Sequence, residues 1–214
     1  MPCSRTIRNI IQNSPYVNRN GDYMLSPKQI QKMQYRKELA INSLKILTEI
    51  KRVKSTNYFF DFASRQDKRN LLYARQTINY NTMSGPFSST LNHGVGNCDE
   101  KARACWAGIR NKPSLSPHHE CMLCYGVNYD HVFIVIADCP IAINTPTTLG
   151  ALGVTAIVID GWTEDWYFPN ISYSDKIKHS RFFKIPNPRQ HIVRSRTFSA
   201  TIANYESAAP ILNI

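Results

Sequence analysis

The sequence predicts an α+β fold in which N-terminal helices precede an antiparallel sheet. Apolar residues recur at helical spacing through the first half of the chain, and short runs rich in Val and Ile take over after residue 120. The two kinds of segment follow one another instead of alternating, as they would in a parallel βαβ sheet. The composition permits such a fold. With 214 residues, 43% hydrophobic and 19% charged, the chain suits one domain, or a domain with an extension, and not a disordered, fibrous or repeat protein.

Residues 1–25 are polar and rich in Asn and Arg, and read as an irregular lead-in. Ser26-Pro27 then reads as an N-cap followed by proline at the first helical position. Ile30, Met33, Ala40, Ile41, Leu44 and Leu47 form an apolar stripe, with Gln31, Glu38, Asn42 and Glu49 on the other side. Lys37 interrupts the stripe and has to snorkel outward, and the helix is expected to end near Val53. A second helix is expected over about Asp67 to Tyr80, patterned by Leu71, Leu72, Arg75 and Ile78. Gly85-Pro86, two serines, Gly94 and Gly96 mark Met83 to Gly96 as a loop. A short helix follows from Cys98 to Ala107, stopped by Gly108 and Pro113, and Ser114 to Glu120 is a loop.

The period then becomes extended. Cys121–Val127, His131–Ala137 and Val154–Asp160 read as strands. Ala142 to Gly153 is a Thr- and Gly-rich connection, Trp162 to Pro169 is aromatic and irregular, and Ile192 to Phe198 is strand-like. The longest apolar run, Val132–Ala137, is far too short to span a membrane, and Met1-Pro2-Cys3-Ser4-Arg5 opens no secretory signal. The six cysteines show no framework spacing, which favours a reducing compartment. The net charge of +11 divides into +8 over residues 1–54, +2 over 55–97, −4 over 98–170 and +5 over 171–214. Basic flanks of this kind suit an acidic protein or an anionic membrane surface, or simply a solvated face.

Chemistry concentrates in Gly94-Val95-Gly96-Asn97-Cys98-Asp99-Glu100-Lys101-Ala102. The glycines give an open turn, Asn97 can cap the helix, and Glu100 is placed for a capping box. Cys98 falls at the first helical position, where unpaired N–H groups and the positive helix end favour a thiolate and can hold an oxyanion. Cys98, Ala102, Cys105 and Trp106 share one helix face. A thiolate needs a base, and Asp130-His131-Val132-Phe133 opens an apolar strand with a histidine. A histidine needs an acceptor, and Asp160-Gly161-Trp162 ends another. With those strands adjacent and the Cys98 helix across them, Cys98, His131 and Asp160 meet as nucleophile, base and orienter.

These stations, Gly96-Asn97-Cys98-Asp99-Glu100, Asp130-His131-Val132-Phe133 and Val158-Ile159-Asp160-Gly161-Trp162, resemble the papain-like superfamily in its transglutaminase-like branch. They resemble in particular the Cys-His-Asp cysteine enzymes found among bacterial secreted effectors. Asp99 stands where glycine is common, and Gly161 where proline is common. Asp99 adds a negative charge beside the thiol. The resemblance covers residues 94–162, and the chain is expected to divide into a basic N-terminal helical extension, 1–66, and a transglutaminase-like or papain-like catalytic core, 67–214. The resemblance implies acyl transfer through a thioester on Cys98, whether as protease, deamidase or transglutaminase. The substrate is then a protein, and by the same resemblance a host protein met in the host cytoplasm after delivery by a bacterium. Neither cofactor nor metal is expected. Asn92, His93 and the Cys98 N–H are candidate oxyanion donors, beside Asn97, and Trp162 can wall the cleft.

Two other readings compete. His118, His119, Cys121 and Cys124, with Cys139 or His93 as a fourth ligand, could bind zinc, but a spacing of three sets the two cysteines on opposite faces of a strand. A non-catalytic binding protein could use its basic ends, including Arg181, Lys184, Arg189, Arg194 and Arg196 among Phe182, Phe183 and Phe198. That mixture can serve nucleic acid or equally form an amphipathic edge strand, and because no nucleic-acid motif accompanies it this reading ranks below the enzyme. If the basic N-terminus recruits the protein, deleting residues 1–54 is expected to weaken recruitment and spare the triad.

Overall fold

A computed structural model describes residues 24–50, 52–57, 62–77, 84–110, 120–126, 130–139, 142, 145–171 and 192–195. Helices α1 (Pro27–Lys45), α2 (Arg65–Thr77), α3 (Ser84–His93) and α4 (Cys98–Arg110) come first. Strands β1 (Glu120–Gly126), β2 (Val132–Ala137), β3 (Thr147–Thr148), β4 (Ile157–Asp160), β5 (Asp165–Tyr167) and β6 (Ile192–Ser195) follow. They form one six-stranded sheet in the order β3-β6-β1-β2-β4-β5, with every pairing antiparallel. The protein is therefore mixed α+β, with helices and then an antiparallel sheet.

Strand alternation divides the core in two. Val132, Ile134 and Ile136 of β2 join Ile157, Ile159 and Trp166 in a cluster with Met33, Leu44, Leu47, Ala102, Cys105 and Trp106 of the helices. Phe133, Val135 and Ala137 point the other way, toward Cys124, Val158, Tyr167 and Val193, and the 3₁₀ turn Leu149–Leu152 closes that face. α4 lies against β1, β2 and β4, while α1 packs on α4, β4 and β5. Helix α1 therefore shares the core of the sheet, and a boundary at residue 66 runs through that core. Removing residues 1–54 would strip Met33, Leu39, Leu44 and Leu47 from it, so recruitment and folding cannot be separated that way.

Several elements follow their sequence signals. Ser26 caps α1 in a capping box with Gln29, with Pro27 at the first position. Helix α1 gives way to a π turn over Ile46–Ile50, and Val53 N donates to Leu47 O. Ser64 and Asp67 cap α2 reciprocally, Asp67 N donating to Ser64 Oγ and Ser64 N to Asp67 Oδ2. Positions 1–23, 78–80, 114–119 and 196–198, on which parts of the sequence reading fall, lie outside the described residues.

Other expectations are corrected. The loop expected over Met83–Gly96 is mostly helix α3. Gly85-Pro86 reads as a turn, but proline is tolerated in the first helical turn, and Phe87, Thr90 and Leu91 supply an inward face. Gly108 does not stop α4. A Cβ there would lie 2.1 Å from Ile46 Cδ1, so the glycine lets α4 press against the end of α1. The irregular Trp162–Pro169 contains β5, and the Ala142–Gly153 connection contains β3.

Lys37 is half-buried, and the fully buried charge in the α1 stripe is its neighbour Arg36. Arg36 Nη1 donates to Asp138 Oδ1 at 2.9 Å and to Thr155 O at 2.7 Å, and Nη2 donates to Ala137 O at 2.8 Å. Asp138 also accepts from the Thr155 N–H at 2.9 Å and from Lys32 Nζ at 3.3 Å. One guanidinium thus ties α1 to the end of β2 and the entry to β4. Arg36→Ala would leave those acceptors unpaired and is expected to cost about 3–5 kcal/mol in urea unfolding. A loss below about 1 kcal/mol, within the range of an ordinary surface change, would show that the clamp does not bear on the fold.

Candidate active site

Cys98 begins α4, and the chain before it is held by a strap of residues 52–57. Lys54 N donates to Gly94 O and Gly96 N to Lys54 O, each at 2.9 Å, which makes a parallel bridge. The Asn97 side-chain oxygen accepts from Thr56 N at 2.9 Å and Thr56 Oγ1 at 3.0 Å. Asn97 was expected to cap α4 with this oxygen, and it fastens the strap instead. The other half of the expected box forms, with Asn97 N donating to Glu100 Oε2 at 2.9 Å. Glu100 is buried and takes a two-pronged contact from Arg75 of α2, at 2.8 and 3.0 Å. Among the described residues no protein acceptor meets the Cys98 N–H. Asp99 is engaged along the helix by Arg103 Nε at 3.2 Å, which offsets the charge it brings beside the thiol.

His131 and Asp160 meet through strand register. Ile134 pairs with Ile159 across β2 and β4, which brings His131, just before β2, beside Asp160 at the end of β4. Their contact is short: His131 Nε2 to Asp160 Oδ2 is 2.8 Å, and both residues are buried. Asp160 Oδ1 accepts from Trp162 N at 2.9 Å and Thr163 N at 3.3 Å. Burial pushes the Asp160 carboxyl up, but the His131 charge and hydrogen bond and the two amides outweigh it and leave the carboxyl below its usual value.

An ionised carboxylate only accepts, so the hydrogen-bond network assigns a proton to His131 Nε2. Cys98 also acts on this ring, through a hydrogen bond and its charge, and with Nε2 turned to Asp160 the nitrogen left for it is Nδ1. Burial opposes charge on His131. The carboxylate of Asp160, with the hydrogen bond and charge of Cys98, prevails and raises the imidazole to about 10. The ring packs 5.7 Å from Phe133 and edge-on to Trp162 at 5.6 Å between centroids. Trp162 Nε1 donates to Asn57 Oδ1 at 3.0 Å, so the strap reaches the wall beside His131.

The structure thus brings Cys98, His131, Asp160, Asn97 and Trp162 to one end of the sheet. It does not bring Asn92 and His93 there by any contact among the described residues; both are exposed in the last turn of α3. The sequence reading missed Thr56, Asn57 and the partnership of Arg75 with Glu100. These residues lie 25 to 105 positions from their partners, beyond the reach of any local pattern. Cys105 and Cys124 are wholly buried, and burial pushes both thiols up. For the zinc reading, Cys124 sits in the apolar core and His118 and His119 lie outside the described residues. Among the described residues no group of three or more His, Cys, Asp or Glu could hold a metal ion. Of the basic tail, only Arg194 is described, on β6.

The His131–Asp160 pair sets a pH dependence. His131 rises from an ordinary 6.5 to about 10 on folding, so its stabilisation is complete below 6.5 and disappears as pH climbs through about 10. Asp160 is lowered, so its share is present above the ordinary carboxyl range and is lost on acidification below it. The stability difference between wild type and Asp160→Asn is therefore expected to shrink steadily from neutral to alkaline pH in urea unfolding. A difference that stays flat over that range would mean that His131 is not held protonated.

No protein-family model matches the chain, and no curated protein matches it.

Proposed function

We propose that the protein is a thiol-dependent acyl-transfer enzyme with Cys98 as nucleophile, His131 as general acid and base, and Asp160 as orienter. One observation carries this reading: a single buried imidazole is held at Nε2 by a fixed carboxylate and is also raised by the hydrogen bond and charge of Cys98. The order of parts supports a papain-like core of the transglutaminase-like branch. A cysteine opens a helix lying on an antiparallel sheet, and the histidine and aspartate come from adjacent strand ends.

The steps follow from the geometry. The Cys98 sulfur attacks an acyl carbon of a protein substrate, and the carbonyl oxygen becomes an oxyanion for which the Cys98 N–H is a candidate donor. The His131 imidazolium gives its Nδ1 proton to the leaving amine or ammonia, and a thioester remains on Cys98. Water or an amine, deprotonated by the now neutral Nδ1, attacks that thioester and restores the thiolate. Water acting after a peptide bond makes the enzyme a protease. Water acting after a glutamine side chain makes it a deamidase, and an amine acceptor makes it a transglutaminase. Delivery into a host cell and a host-protein substrate rest on the sequence resemblance. The charge of +11 favours a second reading, a non-catalytic basic protein that binds an acidic partner.

Limiting iodoacetamide across a mildly acidic to mildly basic pH series, followed by peptide mapping, separates the two. Cys98 is expected to be alkylated on the order of tenfold faster than the other cysteines at the acidic end. His131→Ala is expected to abolish that preference. Equal labelling of Cys98 and Cys139 in the wild type would overturn the catalytic reading.

A further inference from the structure

Cys98 and Asp160 sit on different elements, so something has to hold α4 in place against the β4–β5 turn. Four observations converge on Lys101, one helical turn after Cys98. Its side chain is wholly buried, yet Nζ lies 3.3 Å from Glu164 Oε1, and Glu164 is about one-third exposed. Glu164 takes the left-handed conformation, φ 54°, which a non-glycine residue rarely adopts without a reason. Gly161, between Asp160 and Glu164, packs so closely on α4 that a Cβ would fall 3.1 Å from the Lys101 carbonyl carbon and Cβ. The buried Cys105, one turn further on, lies within electrostatic reach of Lys101, Asp160 and Glu164 together.

Stability alone does not account for this pair. Burying an ammonium is costly, and an apolar side chain of the same volume would hold the helix at least as well. A left-handed turn residue is also better served by glycine. What the pair adds is a directional link between the helix that carries the nucleophile and the turn that carries the orienter. We propose that Lys101 and Glu164 are positioning residues whose ion pair sets the register of Cys98 against the His131–Asp160 arm. The proposal deepens the Cys-His-Asp reading and rests on it.

Glu164→Gly is the informative variant, because it removes the tether and relaxes the backbone at once. Lys101→Met keeps the buried volume and leaves Glu164 to water. Each variant is measured by thermal unfolding, by the iodoacetamide pH series on Cys98, and by the nuclear Overhauser effect between the Cys98 Hβ and the His131 ring protons. Both variants are expected to unfold within a few degrees of the wild type. Both are expected to lose about tenfold or more in Cys98 alkylation rate at mildly acidic pH and to show a weakened Overhauser effect. The double variant is expected to be no worse than either single one, as two ends of one link require. A Glu164→Gly protein with the wild-type alkylation profile and Overhauser effect would overturn the proposal. Should wild-type Cys98 show no preferential alkylation, the catalytic reading fails, and the Overhauser effect in the variants still decides whether the pair sets the register.

Discussion

A carboxylate sealed from water has to be satisfied by the protein alone, and Asp160 makes that demand at the end of β4. Its two oxygens need donors on two sides. One is met by His131, just before β2, which requires β2 and β4 to pair in a single register. The other is met by the Trp162 and Thr163 amides, which requires the chain to turn back at once into β5. The same turn leaves Gly161 against α4 and Trp162 against the imidazole. The tautomer of His131 and the shape of the hairpin thus follow from one buried charge.

The opposite end of the β2–β4 pair is fixed by the same kind of device. Arg36, also wholly buried, gathers Asp138, the Ala137 carbonyl and Thr155 where β2 ends and β4 is about to begin. Between these two ionic anchors the strands hold only apolar side chains, whose packing is strong but indifferent to sliding by two residues. Charge placed at both ends removes that freedom. Because α1 supplies the second anchor, the N-terminal helix helps to determine how the strands present His131 and Asp160.

Much of this was legible in the sequence. The cap at Ser26, the α4 face of Ala102, Cys105 and Trp106, and the alternation of β2 each follow from a local pattern, and each is found in place. Cys98, His131 and Asp160 were legible because each stands at the edge of an element where chemistry-bearing residues are out of character. Arg36 was not, because a charge within an apolar stripe reads as the polar side of the helix until its partners, about a hundred residues away, are known. Helix α3 was lost because Gly85-Pro86 has the same composition in a turn and in a first helical turn. The strap was lost because Thr56 and Asn57 act only through Asn97 and Trp162, and no periodicity joins them.

The three residues of the site enter the chain far apart, at positions 98, 131 and 160, and each depends on the next for its character. A nascent chain that has emerged as far as α4 carries Cys98 with no imidazole beside it. His131 arrives before its acceptor and has no reason to hold one tautomer. Only when the β4–β5 turn leaves the ribosome can the strands close and the imidazole be charged. Long-range strand pairing of this kind forms late. Vectorial synthesis therefore leaves the candidate site unassembled until its own fold is complete.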